Sequence, residues 1–149
     1  MYNGGWFAWS QGRYEAAEQM VGKAQRSRKK RLGEDDERTL QSTSLFALVF
    51  LGKGLWERAE KLFLQATKAY KRGLGKEHPS TLTSMANLSF TWQSQGRLHE
   101  ALDLMRQCVE FQQQVLGPDH PDTLFYFSTL HEWEVVGGRS HDKTAGTSE

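Results

Sequence analysis

The sequence predicts an all-α solenoid of antiparallel helix pairs, with six to seven helices in all. Two observations point to it. Segments of the chain recur at a fixed offset of 42 residues, as in Gly12, Gly54 and Gly96, or Ala17, Ala59 and Ala101. The same offset relates Leu32-Gly33 to Leu74-Gly75 and Leu116-Gly117, and Thr39-Leu40 to Thr81-Leu82 and Thr123-Leu124. Within each copy, apolar residues also recur at helical spacing in two runs separated by glycine or proline. A helix pair this one-sided cannot bury its apolar face alone, so successive copies must stack.

The elements follow in order. Residues 2–10 keep part of a first helix, and 13–31 form its partner. The next pair spans 37–51 and 55–73, the next 79–93 and 97–115, and a last first-type helix covers 121–136. In the helix after Gly54, Trp56, Ala59, Leu62, Phe63 and Ala66 form one apolar face. It ends at Leu74-Gly75, where glycine can close a last turn in the left-handed region. Pro79 stands at a first helical position, where its missing N–H costs nothing. Leu82, Met85, Leu88 and Trp92 then form the apolar stripe of that helix. Asp36 occupies the slot of His78 and His120 and is suited to cap the helix that begins after it. The repeat array is expected over 1–137, with a partial first repeat (1–11 and 13–31) and repeats starting near 37 and 79. A small, polar, disordered tail is expected over 138–149. Stacking should give a coil with a concave and a convex side.

Composition narrows the function classes. The chain has 149 residues, 38% hydrophobic and 25% charged, enough for a real core. Lys plus Arg is 19 against 18 Asp plus Glu, a balance that gives no general attraction to nucleic acid or anionic membrane. A single cysteine, Cys108, excludes an internal disulfide and a cysteine-based metal site. No stretch approaches the roughly 18 uninterrupted apolar residues of a membrane span. The N-terminus, Met1-Tyr2-Asn3-Gly4-Gly5-Trp6, lacks the pattern of a secretory signal. A soluble, cytoplasmic protein is the expectation.

Gln95-Gly96-Arg97-Leu98-His99-Glu100-Ala101, the run from Leu116 to Leu124 (Leu-Gly-Pro-Asp-His-Pro-Asp-Thr-Leu) and Ser84-Met85-Ala86-Asn87-Leu88 resemble the tetratricopeptide repeat of the kinesin light chain type. The resemblance covers roughly residues 1–137. It implies a superhelix that binds a protein or peptide on its concave face, without a cofactor and without enzymatic activity. In such repeats the first helix of each pair lines the concave face, and an asparagine there often binds a peptide backbone. By resemblance that residue is Asn87, with Asn3, Leu45 and Thr129 at the equivalent places. A carboxamide suits the role because it offers both a donor and an acceptor.

Helical spacing places Thr83, Ala86, Phe90 and Gln93 on the same face as Asn87. The repeat adds Gln41, Ser44, Leu48 and Leu51 on one side, and Phe125, Ser128, Glu132 and Val135 on the other. Tyr2, Trp6 and Trp9 are the counterparts in the truncated first copy. This face has aromatics and leucines but no lysine or arginine to hold a carboxylate terminus. The expected partner is therefore a protein or peptide with apolar anchors. The alternative is that these side chains pack against neighbouring helices or a missing part of the solenoid, and that the segment is a structural or oligomerisation element of a larger signalling or scaffold protein, without a ligand groove of its own. The array reads as incomplete at both ends, as a piece of a longer chain or with its last helix serving as the cap, and an uncapped end would allow self-association.

Other motifs read as structural. The basic run from Lys23 to Arg31 sits at a helix C-terminus, where cations favour the dipole, and is followed at once by Glu34-Asp35-Asp36-Glu37. No aromatics interleave with it, so nucleic-acid binding is not expected. His78 and His120 fall one repeat apart, too far for one metal ion. No metal site and no cofactor site is expected. Cys108 falls at the small-residue position of Ala24 and Ala66 and reads as core. Gly73-Leu74-Gly75-Lys76 resembles part of a phosphate loop but follows no strand, and the repeat explains its glycines.

Overall fold

The computed structural model describes the backbone of residues 4–146 and the side chains of residues 12–137. It contains six helices: α1 (Gly4–Leu32), α2 (Glu37–Gly52), α3 (Trp56–Leu74), α4 (Pro79–Ser94), α5 (Leu98–Leu116) and α6 (Pro121–Gly146). Each packs on the next, and α2 also touches α4. The short connections force consecutive helices antiparallel. The first-type helices α2, α4 and α6 form one layer, and α1, α3 and α5 form the other.

Two kinds of connection alternate, each fixed by its residues. After α2 and α4 the chain turns through Gly54 (φ 79°) and Gly96 (φ 81°). The N–H of Leu55 donates to Phe50 O at 2.9 Å and that of Gly54 to Leu51 O at 3.1 Å. The same two bonds recur from Arg97 to Trp92 and from Gly96 to Gln93. Such a crossed pair needs a left-handed residue, which glycine adopts without steric cost. Before α2, α4 and α6 the caps recur as well. The Asp36 carboxylate accepts from the N–H of Arg38 at 2.9 Å, and His78 Nδ1 accepts from that of Ser80 at 3.1 Å. His120 Nδ1 does the same for Asp122 at 3.1 Å. These histidines satisfy helix N–H groups that would otherwise lack partners.

The core lies between the layers. Phe63, Leu82, Met85, Met105 and Cys108 are all at most 1% exposed, with Ala47, Ala59, Ala66, Ala86 and Ala101 at 0%. Cys108 is packed there as a free thiol, and burial pushes its pKa up to about 12. It is a core residue, as the repeat predicts. Trp56 departs from the expectation: it opens α3 at the rim of the array and is 40% exposed.

The two ends also depart from the sequence reading. A helix over 2–10 followed by a break at Gly12 is expected, but α1 runs unbroken from Gly4 to Leu32. Residues 1–3 lie outside the described residues. Gly12 does not take the positive φ of Gly54 and Gly96. Glycine permits a left-handed turn without imposing one, and at the other two positions the turn is held by a hairpin that packs on itself. At the other end, α6 continues to Gly146 where a tail from 138 is expected. The stretch after Gly137 contains no proline, and extending an existing helix costs far less than starting one. Residues 147–149 lie outside the described residues.

Gly75 leaves α3 at φ 90° and ψ 166°, a region open essentially to glycine alone. Gly75→Ala is expected to destabilise the chain by about 1–3 kcal/mol. Gly73→Ala, two residues earlier within the helix and with open space around its Cα, should be neutral or slightly stabilising. Urea unfolding followed by circular dichroism compares the two.

Candidate functional site

The trough between α2 and α4 brings together six of the residues that the sequence assigns to the concave face, Ser44 among them. Gln41, Leu45 and Leu48 come from α2, and Thr83 and Asn87 from α4. Helical spacing aims each set at the gap, because residues three and four apart share a face. Ser44, Pro79, Ser80 and Ser84 complete the walls, and Tyr70 closes the base from the end of α3. The volume is about 470 Å³. Leu45 is 53% and Leu48 40% exposed, so both keep apolar surface available. None of the ten lining residues is charged.

Tyr70 is a contribution that the sequence reading missed. It belongs to a second-type helix and is 4% exposed, with burial raising its hydroxyl pKa. The signal was available: it falls one turn before the glycine that ends α3, where that helix returns toward α4.

The remaining expected residues are distributed differently. Phe90 is half-buried between α4 and α6, its ring 5.4 Å from that of Trp133 (edge-on) and 6.5 Å from that of Phe125. For Phe90 the packing alternative therefore applies, and it separates the trough from the α6 side. Phe125 remains 59% exposed beyond it. Thr129 spends its hydroxyl on its own helix, donating to Phe125 O at 3.0 Å. Gln93 is exposed near the end of α4, away from the trough. Asn3 lies outside the described residues, as does the side chain of Trp6, whose backbone belongs to α1. Ala86, expected on the same face, is fully buried in the core.

A wider cleft of about 830 Å³ lies at the edge, between successive hairpin turns, lined by Leu55, Trp56, Arg58, Glu60, Gln95 and Arg97 among others. Glu60, Gln95 and Arg97 are already engaged with one another. Glu60 accepts from Trp92 Nε1 at 2.9 Å, Gln95 Nε2 at 3.1 Å and Arg97 Nη1 at 2.6 Å. Arg97 also bridges to Glu100 at 2.6 Å and lies 5.0 Å from the centre of the Trp92 ring. Burial by itself raises the Glu60 carboxyl, but the three hydrogen bonds and the Arg97 charge outweigh it and hold the group below its ordinary 4.5. One repeat earlier, Glu18 pairs with Lys53, the counterpart of Gln95.

Part of the basic run is engaged as well. In the basic run, Arg28 donates to Ser42 Oγ at 2.9 Å and Arg38 O at 3.2 Å, and Lys29 pairs with Glu34 at 2.8 Å. Among the described residues no cluster of His, Cys, Asp and Glu could hold a metal ion. No described helix is long and apolar enough to cross a membrane.

Stacked helical hairpins of this period define an α-solenoid built from repeats. Models of the tetratricopeptide repeat match residues 4–72 and 81–122. A solved structure of the nearly identical TPR-like repeats of a Podosopora anserina protein assigned as a kinesin light chain is similar. It shares 25% identity at a TM-score of 0.81, over 91% of this chain and 64% of that one. A single-substitution variant of that protein gives 24% and 0.80 over the same shares. BtubC from P. vanneervenii gives 17% and 0.71, over 92% of this chain and 59% of that one. This chain thus spans less than two thirds of each of these structures. Comparison with the curated proteins finds no match. The chain belongs to the tetratricopeptide-repeat family, with repeats of the kinesin light chain type, and is a protein–protein interaction module.

Glu60 gives the edge cluster a pH signature. Because its folded pKa is depressed, its contribution is present above the unfolded value of 4.5 and is lost as pH falls through the folded one. Glu60→Gln should cost about 1–3 kcal/mol at pH 7, the scale of a charged hydrogen-bond network. The gap between wild type and variant should narrow as pH drops from about 5 to about 3. Urea midpoints measured across that range provide the check.

Proposed function

We propose that the α2–α4 trough captures a protein segment through apolar anchors, with Leu45 and Leu48 as the seat and Asn87 as the backbone contact. The supporting observation is the trough itself: two exposed leucines beside carboxamide and hydroxyl groups, with no charge among the lining residues. An extended or helical segment laid along α4 would place apolar side chains on the leucines. Asn87 and Gln41 can then hydrogen-bond its backbone or polar flanks.

Fully burying a leucine contributes about 1.5–3 kcal/mol, and these two start half covered, so each supplies roughly half of that. Ordering the ligand opposes this gain, which places one trough in the range of weak, micromolar-scale binding. Selectivity comes from anchor spacing, since no lysine or arginine is present to recognise a carboxylate. A cytoplasmic setting is part of the same reading, supported by the single buried thiol, which needs no oxidising compartment.

A peptide-display selection on the purified chain, run beside a Leu45→Glu, Asn87→Ala variant, tests the proposal. Both positions are off the core, so circular dichroism should report an unchanged fold. Enriched sequences should share spaced apolar anchors, bind the variant at least tenfold more weakly, and depend little on salt between about 50 and 500 mM. No enrichment, or the same sequences enriched on the variant, would overturn it.

A further inference from the structure

Leu40, Leu82 and Leu124 occupy one position of the repeat. The first two are 3% and 0% exposed, whereas Leu124 is 50% exposed. Met85 and its counterpart Phe127 show the same contrast, at 1% and 50%. The difference lies in what covers them. In the α4–α5 hairpin, Cys108 Sγ lies 4.0 Å from Leu82 O, and Ser89 Oγ donates to Ala101 O at 2.6 Å. On α6 that face carries no described helix.

At the other end, the opposite half of the same contact is open among the described residues. α1 is the repeat counterpart of α3 and α5. Its Ala17, Val21 and Ala24 stand where Ala59, Phe63 and Ala66 stand in α3, and where Ala101, Met105 and Cys108 stand in α5. All six of those are 0% exposed. In α1, Ala24 is exposed and Ala17 and Val21 are only half-buried. α1 packs on α2, as α3 does on α4, but no described helix takes the place that α2 holds on α3.

We propose that these two faces mate: α6 of one copy seats on α1 of a second copy. The contact that α2–α3 and α4–α5 make within the chain is then repeated between chains. The repeat register sets the pairing. Leu124 falls opposite Ala24 of the second copy, a large side chain against a small one, as Leu82 falls against Cys108. His131 falls opposite Ala17 in the manner of Ser89 and Ala101. The two faces differ, so the interface is heterologous, and each added copy presents a fresh α6. The trough between α2 and α4 is left clear, so this assembly is independent of ligand capture.

The test uses the whole chain and two variants at exposed positions, Phe127→Glu on α6 and Ala24→Arg on α1. Sedimentation is followed from about 10 μM to about 1 mM. The average mass of the unaltered chain should rise with concentration, past that of two copies. Each variant alone should stay at the single-chain 17.0 kDa, with circular dichroism unchanged. Mixed in equal amounts, the variants should form a species of two chains and nothing larger, because each retains the face that the other has lost. A monomeric unaltered chain across the range would overturn the proposal. So would association of either variant alone, which pairing of α6 with α6 would give for Ala24→Arg, or a mixture that stays monomeric.

Discussion

The structure depends on one contact: the close approach of each second-type helix to the first-type helix before it, at positions where the side chain is small. Ala59 and Ala66 in α3, with Ala101 and Cys108 in α5, are completely buried there. A bulkier residue would hold the helices apart and leave voids around Phe63 and Met105, and interiors packed near crystal density tolerate voids poorly. The caps and turns are arranged around this contact. Gly54 and Gly96 reverse the chain tightly enough to bring the pair together, and Asp36, His78 and His120 close the open helix ends that result. The trough follows as well. With second-type helices wedged between first-type ones, α2 and α4 meet only lightly, and their facing side chains keep a space between them.

The polar contacts between repeats show how one position can carry different chemistry. Glu18 meets Lys53 at the first junction, and Glu60 meets Gln95, Trp92 and Arg97 at the second. At the third, Leu102 and Gly137 take the places of that glutamate and glutamine, and both Leu98 and Leu102 lie against Gly137. An ion pair, a hydrogen-bonded network and an apolar contact thus serve one geometric purpose. Of these contacts, the lone Glu18–Lys53 pair adds little stability, whereas the three hydrogen bonds that converge on Glu60 add more. Their effect is to fix the angle between hairpins, because charged hydrogen bonds are more directional than apolar packing.

Division of labour within the concave layer is the other consequence of stacking. Phe90 could have been a ligand anchor, but the neighbouring helix supplies Trp133 and Phe125 within ring-contact range, and Phe90 becomes packing. Leu45 and Leu48 have no such neighbour across the trough and stay open. Identical helical spacing therefore yields an open position in one repeat and a packed position in the next.

The sequence by itself determined the pairing of helices from α2 onward, the turn glycines Gly54 and Gly96, the capping residues and the small-residue core. Each of these is local or repeats at a fixed offset, and periodicity reports both. It also placed Gln41, Leu45, Leu48, Thr83 and Asn87 on a common face, since one helix turn and one repeat length suffice for that. Only the tertiary structure decided that Phe90 is packed, that Tyr70 reaches the trough and that Trp56 stands at a rim. Those outcomes depend on which atoms of another helix arrive at the same place. The ends are the clearest case. Gly12 carries the same flanking residues as Gly96, yet α1 passes straight through it, because a turn glycine acts only where a packed hairpin rewards the turn.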